Sequence, residues 1–137
     1  MNRLQYILAA KTQYNIQSPF LFELYSEVLN SRLGQEERVR CGIARGDCYA
    51  QLRYKLRDHY AAVPVEDDRW PEGDLLSSAD IGLIGIVRSP HRDRHSEECW
   101  SRIVDDPKVT LSVDLFDIGL FFTYAKLTKQ HILLRIL

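Results

Sequence analysis

The run Asp80-Ile-Gly-Leu-Ile-Gly-Ile-Val87 carries no polar side chain after its first residue and is bounded by Asp80 and Arg88. An apolar segment this short, rich in β-branched residues, reads as a strand buried on both faces rather than as a surface helix. Such a strand needs one layer of structure above it and another below. Gly82 and Gly85 within it let neighbouring backbone or rings approach closely.

The rest of the chain supplies those layers. Residues 3–13 place Leu4, Ile7, Leu8 and Lys11 at helical spacing. Ser18-Pro19 marks the start of a second helix through Phe20, Phe22, Leu24, Tyr25, Val28 and Leu29, whose apolar residues cover more than one face. Residues 30–46, with Gly34, Gly42 and Gly46, read as a connector holding one helical turn. Asp47 caps a third helix expected over 48–61, where Leu52, Leu56 and Tyr60 recur four apart.

Ala61–Val65 reads as a short extended piece confined to an edge by Pro64, and residues 66–79 as an acidic loop. After the central run, Ser89-Pro90 and Asp93 are start signals for a helix over 94–105 that Pro107 ends. Residues 109–116 and 118–124 follow as strands, 125–130 as a polar turn, and 131–137 as a last apolar strand. The expected fold is therefore α/β, with N-terminal helices followed by a small mixed sheet and a C-terminal antiparallel hairpin. The helical region spans 1–62 and the sheet region 63–137, together forming one compact unit.

Lysine and arginine number 18 against 19 acids, a net charge of −1, so no global field draws the chain to nucleic acid or to an anionic membrane. No apolar run reaches the roughly eighteen residues of a membrane span, and Met1–Ala10 lacks a long apolar leader, so a cytoplasmic protein is expected. Cys41, Cys48 and Cys99 form no CxxC pair and are expected as reduced thiols.

Chemistry-bearing residues concentrate in Ile86–Trp100, IVRSPHRDRHSEECW. On one continuous helix His91, His95 and Cys99 would share a face and suit zinc. The start signals place His91 ahead of that face, so no metal is expected. Cys99 beside His95 has the spacing of a nucleophile and base, but nothing near it supplies an oxyanion site.

Arg88, Arg92 and Arg94 could hold a phosphate at a helix start, although pairing with Asp93, Glu97 and Glu98 explains them as well. Glu66-Asp67-Asp68 has oxygens for a hard cation, or is a solvated loop. Tyr14, Phe20, Phe22 and Tyr25 make an aromatic group that serves either as core or as a partner-binding face, and an interface is the expectation.

Three pieces carry a resemblance: Gln17-Ser-Pro-Phe-Leu-Phe22, Asp47-Cys-Tyr-Ala-Gln-Leu-Arg-Tyr54, and Pro107-Lys-Val-Thr-Leu-Ser-Val-Asp-Leu-Phe-Asp-Ile-Gly-Leu-Phe-Phe122 followed by Lys129-Gln-His-Ile-Leu-Leu-Arg135. In this order they resemble a family of class I S-adenosylmethionine-dependent methyltransferases with an HSPFVF-like start and a DDIHWS-like strand end. The resemblance implies that the sheet is the remnant of a Rossmann-like methyltransferase sheet. It also implies that Asp80, Arg88, Ser89 and His91 lie at a strand's carboxyl end, where ligands bind.

Two departures bear on function. Aligned on Trp100, Arg88 and Ser89 stand where the family has two acids, while His91 falls on the family histidine. Between Val65 and Ile81 there is one glycine and no GxG, so the Gly-rich cofactor turn is missing. The expected protein is a non-catalytic methyltransferase relative, a pseudoenzyme, that acts through protein contacts as a homodimer or accessory subunit. No cofactor is expected, and S-adenosylmethionine enters only through the resemblance. The alternative is an enzyme or ligand binder that completes its site across a dimer, with His91 as the candidate catalytic residue.

Overall fold

The structure is a computed structural model, which describes residues 2–9, 19–60, 63–64, 73–78 and 82–134, with side chains described in these stretches except at Ala9, 63–64 and 73–78. Its elements run α1 (Arg3–Ala9), α2 (Pro19–Glu23) with a π-helical continuation (Leu24–Leu29), α3 (Gln35–Cys41), α4 (Cys48–Tyr60), β1 (Val63–Pro64), β2 (Gly73–Ser78), β3 (Gly82–Arg88), α5 (Arg94–Asp105), β4 (Leu111–Asp114), β5 (Ile118–Phe122) and β6 (Gln130–Leu133). The fold is α/β, with a mixed sheet ordered β1-β2-β3-β5-β4-β6.

The antiparallel hairpin at the C-terminal side is β4–β5. Strand β5 is also antiparallel to β3, so β3 and β4 run parallel with β5 between them and α5 as their crossover. The last strand does not extend the hairpin but adds to the far side of β4 in parallel. Residues 66–79 are not all loop, because Gly73–Ser78 pairs antiparallel along β3 from Gly73↔Val87 to Ser78↔Gly82. Its partner β3 is a central strand whose backbone polar groups need partners on both sides, a demand that local sequence does not display.

Alternation along the strands divides the core. Ile84, Ile86, Leu111, Val113, Leu120 and Phe122 face the helices α2 and α4, where Leu21, Leu24, Tyr25, Val28, Leu52 and Leu56 complete one cluster. Val87 and Phe121 face the opposite way and pack with Trp100 and Ile103 of α5 and with Val109. The strand recognised from its apolar run is thus covered on both sides.

Close approach explains two glycines. An added Cβ at Gly85 would lie 1.8 Å from the Phe121 ring, and one at Gly119 would lie 2.7 Å from Trp100. Each glycine is a flat seat for an aromatic ring from the neighbouring element.

Helix α4 starts where Asp47 predicts, its carboxylate accepting from Ala50 N at 3.0 Å. The connector holds more helix than one turn: α3 has seven residues, and Tyr54 Oη of α4 donates to Glu37 Oε1 at 2.5 Å to dock it. The π-helical segment closes with Asn30 N donating to Tyr25 O at 2.8 Å, an i to i−5 bond.

The aromatic group divides differently from the expected interface. Tyr25 is 1% exposed and belongs to the core. Phe20 packs edge-on to Phe122 at 5.5 Å and stacks with Tyr60 at 6.0 Å, so it closes the core rather than facing a partner. Phe22 alone of the described members is on the surface, at 50% exposure. Tyr14 lies outside the described residues.

Candidate functional site

The loop Ser89–Asp93 leaves the carboxyl end of β3 and delivers α5. Ser89 adopts a left-handed φ of 47° and its N–H donates to Asp117 O at 2.8 Å, which bends the chain back across the end of β4. Asp93 then caps α5, its carboxylate accepting from Ser96 N at 2.8 Å, a bond that holds its pKa below the usual carboxylate range. The helix begins at Arg94, as its start signals predict, and His91 lies outside it.

This turn aims His91 past β5 at the end of the parallel strand β4. Its Nε2–H donates to Oδ2 of Asp114 at 2.5 Å, and the two side chains are only 7% and 2% exposed. The other Asp114 oxygen accepts from Phe116 N at 2.8 Å, so the carboxylate has a donor at each oxygen. Glu97 Oε1 stands 3.8 Å from His91 Nδ1, and the Phe116 ring stacks on the imidazole at 5.2 Å. The Nε2 edge and one face of the ring are therefore held by the protein, while the buried Nδ1, too far from Glu97 for a hydrogen bond, has no hydrogen-bond partner among the described residues.

Phe116, in a left-handed turn with φ 71°, is also where the first helix docks. Tyr6 packs on its ring at 5.4 Å, and the Arg3 guanidinium lies 4.5 Å from its centroid while donating to both oxygens of Asp117 at 3.0 Å. Tyr6 Oη donates to Leu134 O beside β6. Asp114, Phe116 and Asp117 thus join α1, the loop after β3 and the end of β4. None of the three stood out in the sequence as a site residue. The available signal was Asp114 itself, a charge inside an apolar strand that has to find a partner.

The remaining candidates are not brought together. Arg88 turns to the opposite side, its guanidinium 3.9 Å from the Tyr49 centroid, and lines a concavity with Arg53 and Arg57. His91 instead borders an open depression of about 750 Å3 shared with Arg92, Arg94, Glu97 and Arg102. Asp80 lies outside the described residues, as do Glu66, Asp67 and Asp68.

His95 Nε2 and Cys99 Sγ are 3.7 Å apart on α5, while His91 faces Asp114, so the three do not converge. No cluster of three metal-ligating side chains occurs among the described residues. Of the basic group, Arg92 pairs with Asp93 at 3.4 Å and Arg94 with Glu98 at 3.3 Å, exposed pairs that contribute little to stability. Glu97 faces His91 instead.

A second histidine closes the sheet behind the dyad. His131 Nδ1 and Ser112 Oγ are 2.8 Å apart, and the ring meets Trp100 edge-on at 6.2 Å. Desolvation lowers the His131 pKa from its ordinary 6.5, against an opposing pull from Asp114. The folded protein resists a proton that the unfolded chain accepts. Stability is therefore full above pH 6.5 and falls as pH drops below it, levelling off beneath the folded pKa. Urea denaturation between pH 7.5 and about 5 is expected to show less of this decline in His131→Gln.

S-adenosylmethionine needs a Gly-rich turn between a strand and a helix at the carboxyl end of a sheet. The described residues do not fit it. The strand paired with β3 on its outer side is antiparallel, and among the described residues no glycine turn opens a helix at the carboxyl end of β3. Searches against protein-family models, curated proteins and solved structures found no match to the chain. No helix among the described residues is long and apolar enough to cross a membrane.

Proposed function

We propose that this chain is a non-catalytic, methyltransferase-like protein that works through protein contacts, first of all with a second copy of itself. The observation that carries the reading is the outer face of α1. Leu4 and Leu8, one helical turn apart, are 66% and 78% exposed while Arg3 and Tyr6 hold the other face to Phe116. A pinned helix that turns leucines outward presents a rigid apolar stripe, which gains stability by burial against another surface. Exposed Phe22 of α2 supplies an aromatic of the kind that anchors such contacts.

What supports the methyltransferase relationship is the order of the sheet: a strand, a crossover helix, a parallel strand, and an antiparallel strand inserted between them, as at the carboxyl end of a class I methyltransferase sheet. What supports a non-catalytic role is that Arg88 is directed away from His91, whose Nε2 is taken by Asp114 and whose face is covered by Phe116. Cys41, Cys48 and Cys99 are all free thiols, which suits a cytoplasmic setting.

The test is solution mass by light scattering. The native chain is expected as a dimer at micromolar concentration, and Leu4→Glu/Leu8→Glu as a monomer with an unchanged circular dichroism spectrum. A native chain that stays monomeric and captures no partner from its source extract would remove the basis of this reading. Calorimetry with S-adenosylmethionine is expected to show no specific heat, and micromolar binding would reverse the non-catalytic assignment.

A further inference from the structure

Between α1, α4 and the β4–β5 turn lies a half-enclosed pocket of about 490 Å3 that the His91 loop does not reach. Its walls are apolar, from Tyr6, Ile7, Leu29, Leu52, Leu115 and Ile118. At one end stands Lys55, whose Nζ donates to Ser31 O at 2.9 Å and makes no other hydrogen bond among the described residues. An ammonium carries three donors, so two remain to be satisfied.

The pocket does not supply their acceptors as charge. Asp117 is its one acidic lining residue, and both Asp117 oxygens are taken by Arg3. The neighbouring Gln51 amide nitrogen is turned away, donating to Ala44 O and Arg45 O at 3.3 and 2.7 Å. Burial holds the Lys55 pKa below its ordinary value, against a smaller opposing pull from the Cys48 thiol. With Arg3 and Asp117 paired to each other, Lys55 is the charged group left facing a concave, largely apolar site, the usual form of a small-molecule site.

We propose that this pocket binds a small apolar carboxylic acid, its hydrocarbon or aromatic body against Leu29, Leu52, Leu115 and Ile118 and its carboxylate on the Lys55 ammonium. The anion supplies the two acceptors that Lys55 lacks, and its charge offsets the cost of half-burying an ammonium. A neutral ligand of the same shape gains only the apolar contact, and an amine is repelled.

The experiment compares 4-phenylbutyrate, 4-phenylbutanol and 4-phenylbutylamine as probes, by thermal shift and by titration calorimetry with the full chain. The acid is expected to raise the melting temperature saturably, the alcohol to bind about tenfold more weakly, and the amine not to bind. Lys55→Met keeps the length and apolar stem of the side chain, so it is expected to fold and to bring acid and alcohol to equal affinity. Ile7→Trp fills the pocket and is expected to abolish binding of both. The proposal is overturned by no saturable response to the acid, by equal response to acid and amine, or by acid binding that survives Lys55→Met unchanged.

Discussion

Asp114→Ala is expected to lower the unfolding free energy by about 2–4 kcal/mol, the cost of leaving two hydrogen-bond donors in the fold without their acceptor. The change leaves His91 with its Nε2 donor unanswered at 7% exposure and frees Phe116 N, which the other carboxylate oxygen had held. Two further variants separate the causes. His91→Gln keeps a donor near the carboxylate and is expected to cost about half as much. The double variant His91→Leu/Asp114→Leu exchanges the pair for apolar bulk and is expected to recover much of the loss, because desolvation of the two groups disappears with their attraction. Urea midpoints at pH 7, with unchanged slope, report these differences. A loss below about 1 kcal/mol for Asp114→Ala would mean that stacking on Phe116, not the hydrogen bond to Asp114, holds the loop.

Gly85→Ala is expected to be as damaging, by about 3 kcal/mol or more, although it adds a single methyl group. The added carbon would sit 1.8, 1.9 and 2.5 Å from three atoms of the Phe121 ring, far inside contact distance. The ring has nowhere to go, since Phe121 is fully buried between Val87, Trp100, Ile103 and Val109. Gly85 and Phe121 are also directly paired across β3 and β5, so the strands themselves would have to part. Phe121→Leu alone is expected to destabilise by leaving a cavity under α5. Combined with Gly85→Ala it is expected to cost clearly less than the sum of the two, by 1 kcal/mol or more of coupling. Strict additivity in thermal or urea unfolding would show that the methyl group is accommodated by backbone shift instead.

Both expectations concern contacts made across the fold rather than along the chain. Within the chain, reading by local signals went far. The Asp93 cap and Pro107 stop bracket α5, and the apolar run marks β3, because capping and burial periodicity are encoded within one or two turns of chain. Strand β2 lies where local signals predict a loop, because its pairing comes from the free side of β3 and not from its own pattern.

His91 is marked by residue type, by its spacing to His95 and Cys99 and by the resemblance, whereas Asp114 is 23 positions away and becomes its partner through the strand order. No local pattern marks Lys55, and only the placement of α1 and of the β4–β5 turn gives it an apolar pocket. The sequence by itself determined an α/β fold, the span of α5 and the double burial of β3, since these follow from local sterics and hydrophobic pattern. Tertiary structure alone decided that β6 lies parallel to β4, that His91 is closed by Asp114, and that Lys55 faces a cavity. The physical reason is that register and strand order are set by the summed burial of distant segments, a quantity that no single stretch of the chain contains.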